Sequence, residues 1–313
     1  MTLRTVTLIL NGAAGASKAA ALSERVVEIL HTHGIEADVH VVERGGDCAE
    51  LAKAAVQRGA TVVVAGGGDG TVNAVASGLV DSACALGVLP LGTLNHFAKD
   101  MGIPVDETEA AETIATGVVR QIDVGEVNGK VFVNNSSLGL FPMLVRGRKE
   151  NERLGRGKWT ALVFAALSVL HRYPMLTVGL TTGAGATIAR RTPLVFIGNN
   201  EYEMNGFDVG SRKRLDAGAL AVYLARQDGA WTMVWAGFKG LFGVLRPGVD
   251  FDFLSTDAVR IAAHRGTIHV VTDGEVTELK LPLEYRIRRR ALRVIVPASA
   301  SSDSVSPRAT PPP

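Results

Sequence analysis

The run Gly66-Gly67-Gly68-Asp69-Gly70-Thr71-Val72-Asn73 carries the most specific chemistry in the chain. It follows the apolar segment Thr61–Ala65 (TVVVA) and leads into a helical pattern from Thr71. Consecutive glycines at the carboxyl end of a strand leave backbone N–H groups unobstructed by a Cβ, so they can approach phosphate oxygens. The helix that follows adds the positive end of its dipole. A lone carboxylate in such a loop repels phosphate unless a cation stands between them. Asp69 therefore reads as an acid acting on a magnesium–nucleotide complex, directly or through water. The run does not close on Lys-Ser or Lys-Thr, so it is not a Walker loop, and its spacing does not fit the dinucleotide fingerprint.

These residues need elements to hold them. Residues 5–10 (TVTLIL) form a β-branched run ending at Asn11-Gly12, followed by a helical pattern over residues 17–33 with Ala21, Val26, Ile29 and Leu30 on one face. A strand over 37–42 and a helix over 48–58 lead to TVVVA, whose unbroken apolar character suits a strand buried inside a parallel sheet. Another buried strand is expected at 85–89 and a short helix at 93–101, stopped by Gly102 and Pro104. This alternation predicts an α/β domain with an open parallel sheet over residues 1–122. Beyond Val118 the pattern becomes strand-like runs separated by turns, with Asn128-Gly129 as a hairpin signal. A mostly antiparallel, β-rich second domain is expected over 123–285, interrupted by helical patterns at 158–173 and 231–245. The Ser/Pro-rich stretch 298–313 is expected to be a disordered tail.

Composition bounds the rest. The 313 residues are 47% hydrophobic, enough for two cores, and a net charge of +2 gives no reason to expect a nucleic acid partner. Cys48 and Cys84 stand apart without a CxxC pair, which reads as two thiols in a reducing compartment. No long apolar, charge-free run and no signal-type leader is present, so a cytoplasmic protein is expected.

A second motif, Pro90-Leu91-Gly92-Thr93-Leu94-Asn95-His96-Phe97-Ala98-Lys99, again puts a glycine turn after a strand, with Thr93 at an expected helix N-cap. Together with GGGDGT it resembles the diacylglycerol kinase catalytic family, in its bacterial lipid-kinase form. Three further passages extend the resemblance: Asn11 with Gly15, Ile122-Asp123-Val124-Gly125 with Phe132–Gly139, and Asp273-Gly274-Glu275. The resemblance implies that Asn11, Gly66, Gly67, Gly68, Gly70, Thr71, Thr93 and Asn95 contact ATP. It implies Asp69, Asp273 and Glu275 as catalytic carboxylates, and Asp69, Asp123 and Asp216 as candidate Mg2+ ligands. It also implies a last strand (residues 286–297) returning to the first domain, and an active site in the cleft between the domains. Read as residues alone, Asp273-Gly274-Glu275 is an ordinary hairpin tip.

Two departures bear on the acceptor. His96 stands where the family carries an acid, which makes it a candidate substrate contact, and Leu215-Asp216-Ala217-Gly218 lacks one carboxylate of a segment linked to a structural magnesium site. The expected activity is Mg-ATP-dependent phosphorylation of diacylglycerol or a related lipid alcohol at a membrane surface, by a peripheral protein whose oligomeric state is open. The alternatives are phosphorylation of a soluble acceptor, as by NAD kinases, or an impaired lipid- or nucleotide-binding protein. The apolar stretch Trp231–Leu245 reads as a core helix or an interfacial one. The basic run Arg212-Lys213-Arg214 reads as a solvated cluster or a contact for anionic headgroups, and the two stretches make the best docking pair.

Overall fold

The computed structural model describes residues 4–12, 16–42, 45–139, 142, 175–203, 211–212, 214–226, 251–264 and 266–299. Gly15, Lys213, the helical patterns at 158–173 and 231–245, and the tail from residue 300 lie outside the described residues. By internal contacts the chain divides into two units, one of residues 1–122 with 290–313 and one of residues 123–289.

Unit 1 alternates strand and helix: β1 (Arg4–Asn11), α1 (Ala16–Thr32), β2 (Ile35–Val42), α2 (Gly45–Gln57), β3 (Val62–Gly67), α3 (Asp69–Leu79), β4 (Ala85–Pro90), α4 (His96–Asp100) and α5 (Glu107–Thr116). The strands lie in the order β2-β1-β3-β4, all parallel, with Thr7 opposite Val63 and Val63 opposite Leu86. Burial on both faces explains the apolar runs: Val63, Val64 and Ala65 are fully buried. Each buried valine contributes about 1.5–3 kcal/mol by leaving water. On one face Leu22, Val26 and Leu30 of α1 and Ala110, Ala111 and Ile114 of α5 pack on Val6, Leu8, Leu10, Val64 and Leu89. On the other, α2 packs against α3, where Gly78 leaves no room for a Cβ against the Ala52 methyl.

Unit 2 is built of antiparallel strands. β5 (Val118–Val127) leads into it, and β6 (Lys130–Phe132), β7 (Asn135–Gly139), β8 (Leu176–Thr182), β9 (Thr187–Thr192), β10 (Leu194–Asn199), β11 (Leu220–Ala225), β12 (Phe251–Thr256), β13 (Ala258–Ala263), β14 (Thr267–Thr272) and β15 (Glu275–Lys280) follow. One sheet runs β12-β11-β10-β7-β14-β15; β13, β8 and β9 belong to the second. Leu138, Val195, Ile197, Val222 and Val270 of the first share a core with Val178, Leu180, Val259, Ile261 and Tyr285 of the second. The last strand, β16 (Leu283–Val296), pairs with β13 through Leu283–Arg286 and, farther on, parallel to β4 through Arg293 and Val294.

Two hairpins show why their sequences turn where they do. Asn128 and Gly129 (φ 47° and 82°) join β5 to β6, and Asp273 and Gly274 (φ 46° and 84°) join β14 to β15. Left-handed backbone at both central positions matches the twist of the flanking strands, and Asn-Gly and Asp-Gly adopt it most readily.

Candidate active site

In the strand order β2-β1-β3-β4 the chain winds outward first to one side of β1 and then to the other, so the carboxyl ends of β1 and β3 flank a topological switch point. Asn11 ends β1 and Gly66-Gly67 end β3, and Asn11 Nδ2 donates to Thr71 Oγ1 at 3.0 Å across that point. The next turn, at the end of β4, lies alongside: Leu91 N–H donates to Gly67 C=O at 2.9 Å. Gly68 and Gly92 come so close that a Cβ on Gly92 would stand 2.6 Å from Gly68 Cα. Three strand ends thus bring together Asn11, the Gly66–Thr71 loop and the Gly92–Asn95 turn.

Asp69 links the two loops. Its Oδ2 accepts from His96 N–H at 3.3 Å and its Oδ1 from Phe97 N–H at 3.1 Å, so a carboxylate from the first loop caps the first turn of α4. This changes the reading of the second motif. Thr93 is exposed and does not cap the helix, and α4 starts at His96 instead of Thr93. The reason is Asn95, whose backbone is left-handed (φ 50°) and whose side chain folds the turn on itself. Its Oδ1 accepts from Gly92 N–H at 2.9 Å while its Nδ2 donates to Pro90 and Gly92 carbonyls at 3.1 and 2.9 Å. Asn95 is 8% exposed, so its side chain shapes the turn that would meet a ligand. His96 is exposed at the start of α4. Asn73, one helical turn beyond Asp69, is buried with its Oδ1 lacking a hydrogen-bond partner among the described residues, and the sequence reading did not single it out as a ligand contact. A close-set pair of glycine turns and a helix N-terminus fit a phosphate-bearing ligand.

The Asp-Gly-Glu turn lies in unit 2. Asp273 is half-buried, and its carboxylate accepts three successive backbone N–H groups, from Val133 at 2.7 Å and from Asn134 and Asn135 at 2.9 Å each. Burial pushes this carboxyl up to about 6, against the pull of those amides and of the Arg212 charge. Three of its lone-pair sites are filled, which fixes its orientation and leaves acceptor capacity over. Glu275 is exposed, with Lys130 Nζ at 4.0 Å.

The segment that grips Asp273 is itself gripped from its carbonyl side. Arg212 is 3% exposed, and its Nη1 donates to Val133 and Asn199 carbonyls at 2.8 and 3.1 Å while its Nη2 donates to Asn134 Oδ1 at 2.7 Å. The guanidinium lies 5.3 Å from the Tyr202 ring centre, and Tyr202 Oη donates to Asn134 C=O at 3.0 Å. Arg212 is therefore not part of a solvated basic cluster or a headgroup contact, because its charge is satisfied inside the fold. Arg212→Met should cost about 3 kcal/mol in urea unfolding, since buried carbonyl and amide oxygens lose a charged donor. An unchanged unfolding midpoint would contradict that role.

The carboxylates suggested as metal ligands are engaged by protein groups. Asp123, 1% exposed, accepts Gly218 N–H at 2.7 Å, and Asp216 pairs with Arg214 at 3.3 Å. Ala217 offers only its backbone, and its N–H donates to Asn200 Oδ1 at 3.1 Å. Among the described residues no three acidic, histidine or cysteine side chains converge around Asp216. Asp69, a single carboxylate beside the paired glycine turns, has the chemistry to meet a magnesium ion carried by a nucleotide.

The fold and these turns define a class: a parallel α/β unit with paired glycine turns at its strand ends, in one chain with an antiparallel β unit. Among solved structures, a diacylglycerol kinase of Bacillus anthracis str. Sterne shares this fold with a TM-score of 0.71 and 20% identity, covering 96% of this chain and 99% of that one. A second structure from the same strain gives a TM-score of 0.74, also at 20% identity, with the same coverage. The family described as "Diacylglycerol kinase catalytic domain" matches residues 5–127. A Bacillus subtilis protein named "Diacylglycerol kinase" is 42% identical over 113 residues, which is 35% of this chain and 37% of that protein, so this match spans well under half of the relative's length. A Pseudomonas fluorescens protein named "Probable lipid kinase YegS-like" is 30% identical over 311 residues, covering 95% of this chain and 97% of its own length. The chain belongs to the diacylglycerol kinase catalytic-domain family, whose relatives include lipid kinases of the YegS-like kind. No helix among the described residues is long and apolar enough to cross a membrane.

Proposed function

We propose that the protein transfers the γ-phosphoryl group of ATP to the hydroxyl of diacylglycerol or a related lipid alcohol. The observation that carries this reading is the meeting of Asn11, the Gly66–Thr71 loop and the Gly92–Asn95 turn at the carboxyl ends of adjacent parallel strands. Family membership and the names of the relatives support a lipid acceptor.

Phosphoryl transfer asks a protein mainly for positioning and charge stabilisation. Backbone N–H groups of the two glycine turns would hold the phosphates, and Thr71, tied to Asn11, would fix the floor of the cradle. Bound Mg-ATP supplies the phosphoryl group and offsets charge on the phosphate oxygens. Asp69 would orient that complex while keeping α4 in place. Asp273, held by three amides, is assigned to the acceptor hydroxyl, whose proton it can take at a pH above about 6. Glu275 is assigned a supporting place beside it, and His96 a contact to the acceptor. Diacylglycerol stays in a bilayer, so the reading includes peripheral contact with a membrane surface.

The test is transfer of label from γ-labelled ATP to detergent-dispersed diacylglycerol, other lipid alcohols and NAD. Label in a lipid phosphate is the expected result. Label in NAD alone would replace the lipid acceptor with a soluble one, and ATP binding without transfer would leave a nucleotide-binding protein.

A further inference from the structure

Two of the three amides that hold Asp273 belong to peptide groups whose carbonyl ends are also occupied. The Asn134 N–H, which donates to Asp273 Oδ1 at 2.9 Å, shares its peptide group with the Val133 C=O, which accepts from Arg212 Nη1 at 2.8 Å. The Asn135 N–H donates to the same oxygen at 2.9 Å and shares its peptide group with the Asn134 C=O, which accepts from Tyr202 Oη at 3.0 Å. Two chains of hydrogen bonds thus converge on one carboxylate oxygen, each passing through a single peptide group.

A peptide group is conjugated, so a donor on its oxygen draws electron density from its nitrogen and makes the N–H a stronger donor. Hydrogen bonds arranged in such chains strengthen one another by roughly 10–30% each. A stronger N–H favours the ionised form of the carboxyl that accepts it. Asn199 Nδ2 also donates to the Val133 C=O at 2.9 Å, so that carbonyl is satisfied without the arginine. The guanidinium therefore adds charge to a bond already made. The other charged groups near the turn are Glu275, two residues along the same hairpin and exposed, and Lys130 of β6, whose Nζ lies 4.0 Å from Glu275. Tyr285, buried beneath β7, is bound to Ser136 at 2.9 Å.

We propose that Arg212 and Tyr202 are positioning residues, which act through these two peptide groups to set how readily Asp273 takes the proton of the acceptor hydroxyl. The proposal rests on the acceptor-side reading of Asp273. It assigns a catalytic consequence to two side chains that touch neither nucleotide nor acceptor. The Arg212 charge also favours the ionised Asp273 directly, through space. Tyr202 carries no such charge, so the two residues separate the effect of the chain from that of the field.

The test follows the Asp273 carboxyl by carbon NMR in the full chain labelled at aspartate, with Asp273→Asn identifying the signal. The wild type should titrate at about 6. Tyr202→Phe keeps the ring and removes one donor, and its midpoint should rise by about 0.3–0.5 pH unit. Arg212→Met should raise it by about one pH unit, and Arg212→Lys, which keeps the charge without the fork, by less. The lower limb of kcat/KM should move with the carboxyl in each variant. If Arg212→Met does not fold, Tyr202→Phe decides. A rise in the Arg212 variants with none in Tyr202→Phe would reduce the effect to a field and overturn the chain through the peptides. Midpoints unchanged in every folded variant would overturn the proposal outright. A carboxyl that moves while the kinetic limb stays would uphold the chains and overturn the acceptor-side reading of Asp273.

Discussion

Asp69→Asn is expected to lower phosphoryl transfer about a hundredfold or more, because it removes the one charge placed to organise the nucleotide complex. The substitution isolates charge from architecture. Asn caps helices about as well as Asp: its one side-chain oxygen can keep the shorter bond from Phe97 N–H and hold α4 in place, while the 3.3 Å contact to His96 N–H is given up. The thermal midpoint should therefore stay close to that of the wild type. Turnover on a dispersed lipid, measured beside a melting curve, checks both halves. Near-normal turnover would remove Asp69 from the chemistry and leave it as a cap.

The second large effect concerns Asp273. With its carboxyl raised to about 6, kcat/KM should climb as the pH rises through that value, since only the ionised form can accept a proton. Asp273→Asn should abolish that limb and lower turnover by about two to four orders of magnitude, with ATP affinity preserved. Stability carries the opposite sign. The folded carboxyl titrates above its ordinary 3.8, so its contribution to stability is complete below 3.8 and is lost as the pH rises through about 6. A limb near 6 that survives in Asp273→Asn would belong to another group, and the acceptor-side assignment would fall with it.

Local chemistry made much of this legible in the sequence. The apolar run at Val63–Ala65 could be satisfied only by burial on both faces, and the glycines after it only by close backbone approach. Asn128-Gly129 and Asp273-Gly274 announced their hairpins because few other residue pairs tolerate left-handed backbone twice in succession. What stayed hidden depends on partners distant in sequence. The cap of α4 comes from Asp69, 27 residues earlier, so no inspection of Thr93–His96 could find it. Arg212 reads as one of three adjacent basic residues, yet Asn134, 78 residues away, and Asn199, 13 away, give it a buried place. A signal was present in the polar runs Asn134-Asn135-Ser136-Ser137 and Asn199-Asn200, set among apolar strands. Buried polar groups need partners, and an arginine is one of the few side chains able to satisfy several at once.

The claim on which the rest depends is that the glycine turns of unit 1 hold the phosphates of ATP, and Gly70→Ala tests it most directly. Gly70 sits in the first turn of α3, its φ is not in the left-handed region, and a Cβ there meets no protein atom within 4 Å. In the free protein the change should raise stability by about 0.5–1 kcal/mol, as replacement of a helical glycine by alanine does. In the complex the methyl group would stand in the cradle. Calorimetric titration with Mg-ATP should then show affinity weakened by about tenfold or more, equivalent to 1.4 kcal/mol, in a protein that melts no lower than the wild type. Unchanged ATP affinity in a stable Gly70→Ala protein would contradict the account.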